Sequence, residues 1–154
     1  MVHYWRALLI LALLLALPGA VLADGPEGWM SIPDVGLYKA ISYTPITHRD
    51  YDLTTLGHGV TRLEGTGDLD ATWGRIVLAG HNPGGFTPLF DLDVGDVIIL
   101  VSHHDTRVWV IVEALKVGDD LVYLSPTNDL TLTLITCWDE GNTWLVINAK
   151  PVVQ

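Results

Sequence analysis

The chain is made of short apolar runs, each about the length of a β-strand and each bounded by residues that favour turns. The runs are rich in Val, Ile, Leu, Thr and aromatic side chains and cover residues 29–32, 37–41, 75–79, 97–101, 107–112, 130–135 and 144–149. β-Branched and aromatic residues favour strands, whereas the intervening Gly, Pro, Asn and Asp residues favour turns. Helical turns are expected only at 51–56 and 87–90, because no long amphipathic pattern occurs. The pattern predicts an all-β barrel or sandwich of seven or eight strands.

The N-terminal 23 residues have the layout of an export segment. Residues 7–17 are uncharged and apolar, Arg6 precedes them, and small residues lead to a cleavage point after Ala23. A membrane-spanning helix needs roughly 20 apolar residues, whereas the stretch up to Ala23 is slightly shorter and contains a Pro-Gly pair. We therefore favour a cleaved signal peptide over a retained N-terminal membrane anchor for residues 1–23. Either alternative predicts an exported protein at the extracellular face of the membrane or the cell surface. A linker is expected at residues 24–28, followed by one domain at 29–154.

The charge distribution restricts the class of partner. The sequence carries 18 acidic and 8 basic residues, a formal net charge of -10, and no cluster of Lys or Arg. Phosphate binding needs concentrated basic charge, so nucleic acid is not an expected partner. A metal site is not expected either. His103 and His104 are adjacent on a strand and should point to opposite faces, and Asp68 and Asp70 are two carboxylates without further ligands.

Cys137 is the only cysteine of the chain, so it cannot form a disulfide within the chain. It lies just past the end of an apolar run, and His81 lies in the same way after another run. If these two strands are adjacent and parallel, thiol and imidazole emerge side by side at one rim; an antiparallel pairing would separate them. A nearby imidazole is the usual means of activating a thiolate nucleophile. Cysteine is also a common small core residue, so both interpretations remain open at this point.

A resemblance to a known family favours the catalytic interpretation. The sequence at 131–137, Thr-Leu-Thr-Leu-Ile-Thr-Cys, resembles the TLxTC signature of sortases, and Val-Leu-Ala-Gly-His at 77–81 resembles the strand that delivers their catalytic histidine. The segment 86–98 is similar to the family's short helix, Gly-Asp turn and strand after that histidine, and 32–37 resembles its first strands. The similarity covers about residues 29 to 150.

The resemblance implies a closed eight-stranded β barrel with short helical turns and the activity of a cysteine transpeptidase. Cys137 would attack the threonine carbonyl of an LPxTG-type sorting signal on a secreted protein and form a thioacyl-enzyme. An amine from a cell-wall precursor or a pilin lysine would then take the acyl group, with His81 as general acid and base. This chemistry needs no cofactor or metal, and contact with the membrane is expected only through the N-terminal segment.

The sequence departs from the family's pattern on the last strand, where sortases carry an arginine and this chain has Trp144. An indole offers one N–H and no charge in place of a guanidinium. Other residues that could serve the oxyanion or the substrate are Asn142, Thr143, Thr136, His58 and the backbone N–H groups after Cys137. Arg75 and Arg107 should lie too far away. Substrate choice is expected to reside in the connection 117–129.

Three functions therefore remain open. The first is the transpeptidase, or a slow hydrolase of the same signals if a good amine is lacking. The second is a degenerate, catalytically impaired barrel that binds peptide without cutting it. The third and weakest is a cysteine peptidase acting on cell-wall peptides, because such folds usually place the cysteine before the histidine in the sequence.

Overall fold

The computed structural model describes residues 25–47, 50–118, 125–138 and 143–152. The predicted export segment at 1–23, residues 119–124 of the connection predicted to set substrate choice, and the candidate Asn142 lie outside the described residues. The strands are β1 (Gly28–Ile32), β2 (Leu37–Thr44), β3 (Ile46–Thr47), β4 (Asp50–Tyr51), β5 (Val60–Leu63), β6 (Arg75–Gly80), β7 (Val97–Ser102), β8 (Thr106–Val117), β9 (Thr131–Cys137) and β10 (Trp144–Pro151). Short 3-10 helices occupy Pro33–Val35 and Thr87–Asp91. In these described ranges, no helix reaches the length and apolarity that crossing a bilayer would require.

Eight of the strands form a closed barrel in the order β1-β2-β5-β6-β9-β10-β8-β7, which confirms the predicted all-β, eight-stranded architecture. Two neighbouring pairs, β2 with β5 and β6 with β9, are parallel, and the other pairs are antiparallel. β7 and β8 form an antiparallel hairpin. β3 and β4 form a separate small sheet.

The helical turn expected at 51–56 is not formed. Tyr51 instead belongs to β4 and pairs with Ile46 of β3. Directly afterwards, a side-chain oxygen of Asp52 accepts hydrogen bonds from the backbone N–H and the hydroxyl of Thr54, at 3.0 and 2.6 Å. Asp side chains that bond to the backbone two residues later favour a turn over a helix, which explains the difference.

The barrel is filled by large apolar side chains that alternate along the strands with outward-facing residues. Trp109, Phe86 and Met30 are among the largest of the fully buried side chains. A second, smaller cluster lies on the outer surface of β6 and β9. It contains Leu53, Leu63, Val77, Ala79 and Ile135. This outer cluster joins the loop before β5 to the two strands that end at His81 and Cys137.

A largely buried ion pair connects the start of the domain to β5. The guanidinium of Arg62 donates two hydrogen bonds to the Glu27 carboxylate, each 2.6 Å long, and it lies 4.8 Å from the centre of the Tyr43 ring. The hydrogen bond to Glu27 raises the pKa of Arg62, and burial acts in the opposite direction. The pair therefore holds residue 27 against the barrel immediately before β1 begins.

Candidate active site

The parallel pairing of β6 with β9 brings the two candidate catalytic residues to one end of the barrel. The register pairs Arg75 with Thr131 and continues to Ala79 with Ile135. Two residues further along each strand, His81 and Cys137 occupy neighbouring positions. The sequence pattern left parallel and antiparallel pairing open, and the structure has the parallel arrangement that places both residues at the same rim.

The strand pattern also assigns Cys137 to the outer surface of the barrel. Successive side chains of a strand point to opposite faces. Leu132 and Leu134 of β9 belong to the main core, whereas Ile135 belongs to the outer cluster. Cys137, the last residue of the strand, therefore lies on the outer side and is half-buried. Thr136 points to the inner side, where its buried hydroxyl donates a 2.7 Å hydrogen bond to the Gly80 carbonyl.

His81 is oriented by the backbone of the loop that precedes β5. Its Nε2 lies 2.7 Å from the carbonyl oxygen of Leu53. A carbonyl oxygen only accepts hydrogen bonds, so this partner assigns the proton to Nε2 and leaves the lone pair of a neutral ring on Nδ1. Because Leu53 belongs to the outer cluster, the imidazole is on the same side of the barrel as Cys137.

Asn82 ties the histidine loop to the cysteine strand, and the sequence analysis did not identify it. Its side-chain amide donates a 3.2 Å hydrogen bond to the carbonyl oxygen of Cys137. Its own side-chain oxygen accepts a 3.1 Å hydrogen bond from the Thr87 hydroxyl, which in turn accepts from the Gly84 N–H. The peptide bond between Asn82 and Pro83 is cis. The loop is thus fixed on both sides of the Asn82 side chain.

The backbone after Cys137 is also fixed. The N–H of Trp138 donates a 2.9 Å hydrogen bond to the Thr143 carbonyl, so this N–H is not available as an oxyanion donor. Trp144 is half-buried and directly opposite Cys137 in the antiparallel pairing of β9 with β10. The Thr143 hydroxyl is buried and has no hydrogen-bond partner within the described part of the chain. Among the proposed oxyanion donors, Thr143 lies near Cys137 and its hydroxyl has no hydrogen-bond partner among the described residues. The Thr136 hydroxyl, in contrast, is bonded to the Gly80 carbonyl.

The remaining candidates are two arginines that lie apart from Cys137 and one exposed histidine. Arg75 is at the far end of β6, where it donates to Thr133, Asn148 and the Ser125 carbonyl, and burial lowers the pKa of its guanidinium. Arg107 at the start of β8 is bonded to Asp105 and to backbone carbonyls of residues 70 and 71. His58 is exposed in a turn before β5, as a loop histidine would be.

The family model of the Sortase domain matches residues 30–152, which is most of the chain. The chain belongs to the sortase family. Among solved structures, a lid mutant of sortase A from Corynebacterium diphtheriae has a TM-score of 0.72 and 26% identity over 86% of this chain and 74% of that chain. Sortase C-1 from Actinomyces oris has a TM-score of 0.73 and 25% identity over 86% and 75%. The sortase D5 transpeptidase of Clostridium perfringens has a TM-score of 0.73 and 24% identity over 84% and 80%. No curated protein matches the sequence significantly.

Sortases are cysteine transpeptidases that act on proteins carrying a sorting signal and on amine acceptors, and this member of the family contains one cysteine.

A lysine lies close to the segment after that cysteine. The Lys116 ammonium is 4.8 Å from the centre of the Trp138 ring, which also packs edge-on against Phe90 at 5.1 Å. This positive charge is on the rim of the barrel, two strands away from β9.

At least two cavities occur in the described part of this sortase domain. One of about 1070 Å³ lies between β2, β5 and the loop at 52–59, and one of about 570 Å³ lies along the loop at 65–74. Neither is lined by His81 or Cys137. The described residues contain no group of three or more His, Cys, Asp or Glu side chains that could hold a metal ion.

Proposed function

We propose that this protein is an exported transpeptidase that cleaves an LPxTG-type sorting signal and transfers the acyl part to an amine. One observation supports it most directly: the parallel register of β6 and β9 brings Cys137 and His81 to the same end of two adjacent strands. The hydrogen bonds of Thr136 and Asn82 then hold the two strand ends together. The client is a secreted protein that carries the signal, and the acceptor is a cell-wall precursor or a pilin lysine.

In the proposed reaction, the Cys137 thiolate attacks the carbonyl carbon of the signal's threonine. A C–S bond forms and the C–N bond to the following residue breaks, while protonated His81 gives its proton to the departing amine. The acceptor amine then loses a proton to His81 and attacks the thioester, and the thiolate leaves. The Leu53 carbonyl holds the proton at Nε2, so Nδ1 is the nitrogen that exchanges protons with the reacting groups.

The oxyanion of each tetrahedral intermediate needs a donor, and this is where the chain departs from the family's pattern. In this proposal Trp144 stands where sortases have an arginine. The Trp138 N–H and the Thr136 hydroxyl are occupied, so Asn142, the Thr143 hydroxyl, His58 and the single indole N–H of Trp144 are the remaining donors among the candidates. Loss of one oxyanion donor costs about 100-fold or more in turnover, so the proposal expects a slow enzyme.

The first experiment is covalent labelling with a sorting-signal peptide whose scissile carbonyl is replaced by a thiol-reactive vinyl sulfone. The adduct should form on Cys137, disappear in Cys137→Ser, and form much more slowly in His81→Ala. His103→Ala is the matched control, because this histidine is exposed and lies at the end of β7. Labelling that is equal in the His81 and His103 variants would contradict the proposed role of His81, and no adduct in the parent protein would contradict the function.

The second experiment restores the guanidinium with Trp144→Arg, and Trp73→Arg, at a 72% exposed position, controls for the added charge. We expect peptide cleavage to rise by about 100-fold in Trp144→Arg alone, since one oxyanion donor is regained. Unchanged cleavage with retained peptide binding would instead favour the peptide-binding module over an enzyme.

A further inference from the structure

The cavity of about 570 Å³ along the loop at 65–74 takes no part in the proposed reaction and has the size of a ligand site. We call it the loop cavity. Its lining combines one aromatic ring with hydroxyl and charged groups, which belong to Thr66, Asp68, Asp70, Thr72, Trp73 and Arg75. Sites for small molecules span about 300–1,000 Å³ and contain a few polar groups that fix the orientation of the ligand. The loop cavity meets both conditions.

The loop that forms this cavity is held in place by the barrel. Leu69 is buried in the main core. The Gly67 N–H donates a 2.7 Å hydrogen bond to the Arg75 carbonyl, so the beginning of the loop is tied to its end. The Arg107 guanidinium of β8 donates to the backbone carbonyls of residues 70 and 71. A ligand therefore meets a preformed wall and does not bear the entropy cost of ordering it.

Trp73 gives the loop cavity an unused aromatic surface. It is 72% exposed, the largest exposed fraction of any large apolar side chain that the structure describes. Trp29 stacks on Tyr38 and Trp138 packs edge-on against Phe90, whereas Trp73 contacts no other aromatic ring among the described residues. Covering a tryptophan ring is strongly favourable, because the ring is large and apolar. A fixed loop that presents this ring to solvent therefore offers a stacking surface to a ligand.

The polar groups of the loop cavity require a ligand that donates hydrogen bonds. One oxygen of Asp68 accepts a 3.0 Å hydrogen bond from the Asp70 N–H, and one oxygen of Asp70 accepts from the Ser102 hydroxyl. Within the described ranges, the second oxygen of each carboxylate and the Thr72 hydroxyl make no hydrogen bond. A carboxylate only accepts hydrogen bonds. The ligand must therefore combine hydrogen-bond donors with an apolar face for the ring.

Charge distinguishes among the ligands that could donate. Asp68 and Asp70 carry two negative charges. Arg75 in the lining and Arg107, bonded to the loop, carry two positive charges, so the charges balance here although the chain has a net charge of -10. A balanced set favours neither a cation nor an anion. Proline-rich peptides also bind aromatic residues, but a proline has no N–H to donate. A sugar ring has donating hydroxyls and an apolar C–H face.

We propose that the loop cavity binds a neutral saccharide, with one sugar ring stacked on Trp73 and its hydroxyls bonded to the carboxylates and to Thr72. Arg75 begins β6 and His81 follows the last residue of that strand, so the two are about 20 Å apart at 3.3 Å per residue. A bound saccharide therefore leaves Cys137 open to a peptide. The proposal goes beyond the transpeptidase function and does not depend on it.

The test titrates the full chain, labelled with fluorotryptophan, with chitotetraose and with cellotetraose, and follows the tryptophans by fluorine NMR. Trp73→Phe and Trp29→Phe assign the two relevant signals. Trp29 is the internal control, because it is exposed on β1, outside the loop cavity. We expect at least one of the two saccharides to shift the Trp73 signal in a saturable way and to leave the Trp29 signal unchanged. The affinity should be the same at low and high salt, because the ligand is uncharged.

Calorimetry then compares variants of the full chain. Trp73→Ala should weaken saccharide binding by about tenfold, because stacking is lost, and Trp73→Tyr should keep most of the affinity, because a ring remains. Tyr38→Ala, at a 64% exposed position on β2, is the matched control that should bind as the parent does. Equal affinity of Trp73→Ala and the parent would overturn the proposal.

The other outcomes of the titration also decide the proposal. It is overturned if neither saccharide shifts the Trp73 signal, or if the Trp29 signal shifts equally. A Trp73 signal that responds to spermidine or to decaproline and to neither saccharide would identify a cationic or peptide ligand instead, and it overturns the proposal too. None of these measurements requires cleavage of a sorting signal, so their failure is distinct from failure of the proposed function.

Discussion

Two threonines near the active site allow the same substitution to be compared with opposite expected results. The Thr136 hydroxyl is buried and donates a 2.7 Å hydrogen bond to the Gly80 carbonyl, which joins β9 to β6 one residue before Cys137 and His81. The Thr143 hydroxyl is buried without a hydrogen-bond partner in the described residues. Valine has nearly the shape of threonine, so Thr136→Val and Thr143→Val each remove little besides the hydroxyl.

The expected magnitudes follow from these contacts. A hydrogen bond contributes about 1 kcal/mol net, and an acceptor left unsatisfied in a buried position adds to its loss, so Thr136→Val should lower the free energy of unfolding by about 1.5 kcal/mol. With a urea slope of about 2 kcal/mol per M, the unfolding midpoint should fall by roughly 0.7 M. Thr143→Val should leave the midpoint unchanged or raise it, because it removes a polar group whose burial no described residue compensates with a hydrogen bond.

Equilibrium urea unfolding followed by tryptophan fluorescence measures both variants against the parent, with the slope checked for constancy. The reasoning is refuted if Thr136→Val is as stable as the parent, or if Thr143→Val loses as much stability as Thr136→Val. The second result would mean that valine at these positions is unfavourable for reasons other than the lost hydrogen bond.

Three further predictions concern stability. Arg62→Met removes a guanidinium on a side chain that is 11% exposed and leaves the Glu27 carboxylate, on a side chain that is 30% exposed, without its partner, and urea unfolding should show a loss of about 2 kcal/mol. Gly85→Ala should lower the thermal midpoint, because the new Cβ would lie inside contact distance of the backbone of the loop before β5. The hydrogen bond from Lys150 lowers the pKa of Asp129, so its contribution to stability is present above the ordinary pKa of about 3.9 and is lost as pH falls through the folded pKa. Lys150→Met should raise the pKa of Asp129 in a carboxyl NMR titration, and an unchanged value would contradict the assigned cause.

Seven of the eight barrel strands could be predicted from the sequence because each is a local pattern, whereas β5 is only four residues long and lies outside every apolar run. The runs at 75–79 and 97–101 become β6 and β7 almost without change. Among the predicted strands, β8 departs most from its run, since it continues to Val117, five residues beyond it. Its second half includes Lys116 and is mostly exposed, so pairing with β10 rather than burial defines it as a strand.

The contacts that build the site could not be predicted in the same way. Asn82 and Cys137 are 55 residues apart, and Arg62 and Glu27 are 35 apart, so no periodicity links either pair. The pairing direction of β6 and β9 is a property of the whole barrel order, and the local sequence is compatible with both directions. The Trp138 N–H looked available from its position after the cysteine, but the carbonyl of Thr143, the residue just before β10, accepts its hydrogen bond.

The closed ring of strands limits how a peptide can be held. Extended peptides often bind by adding themselves as one more strand, which requires an unpaired sheet margin. Each of the eight barrel strands already has a neighbour on both sides, so this route is closed. A bound peptide must therefore be held by side chains and by the loops that extend beyond the barrel. The choice of peptide can differ between family members through those loops, while the barrel that carries Cys137 stays the same.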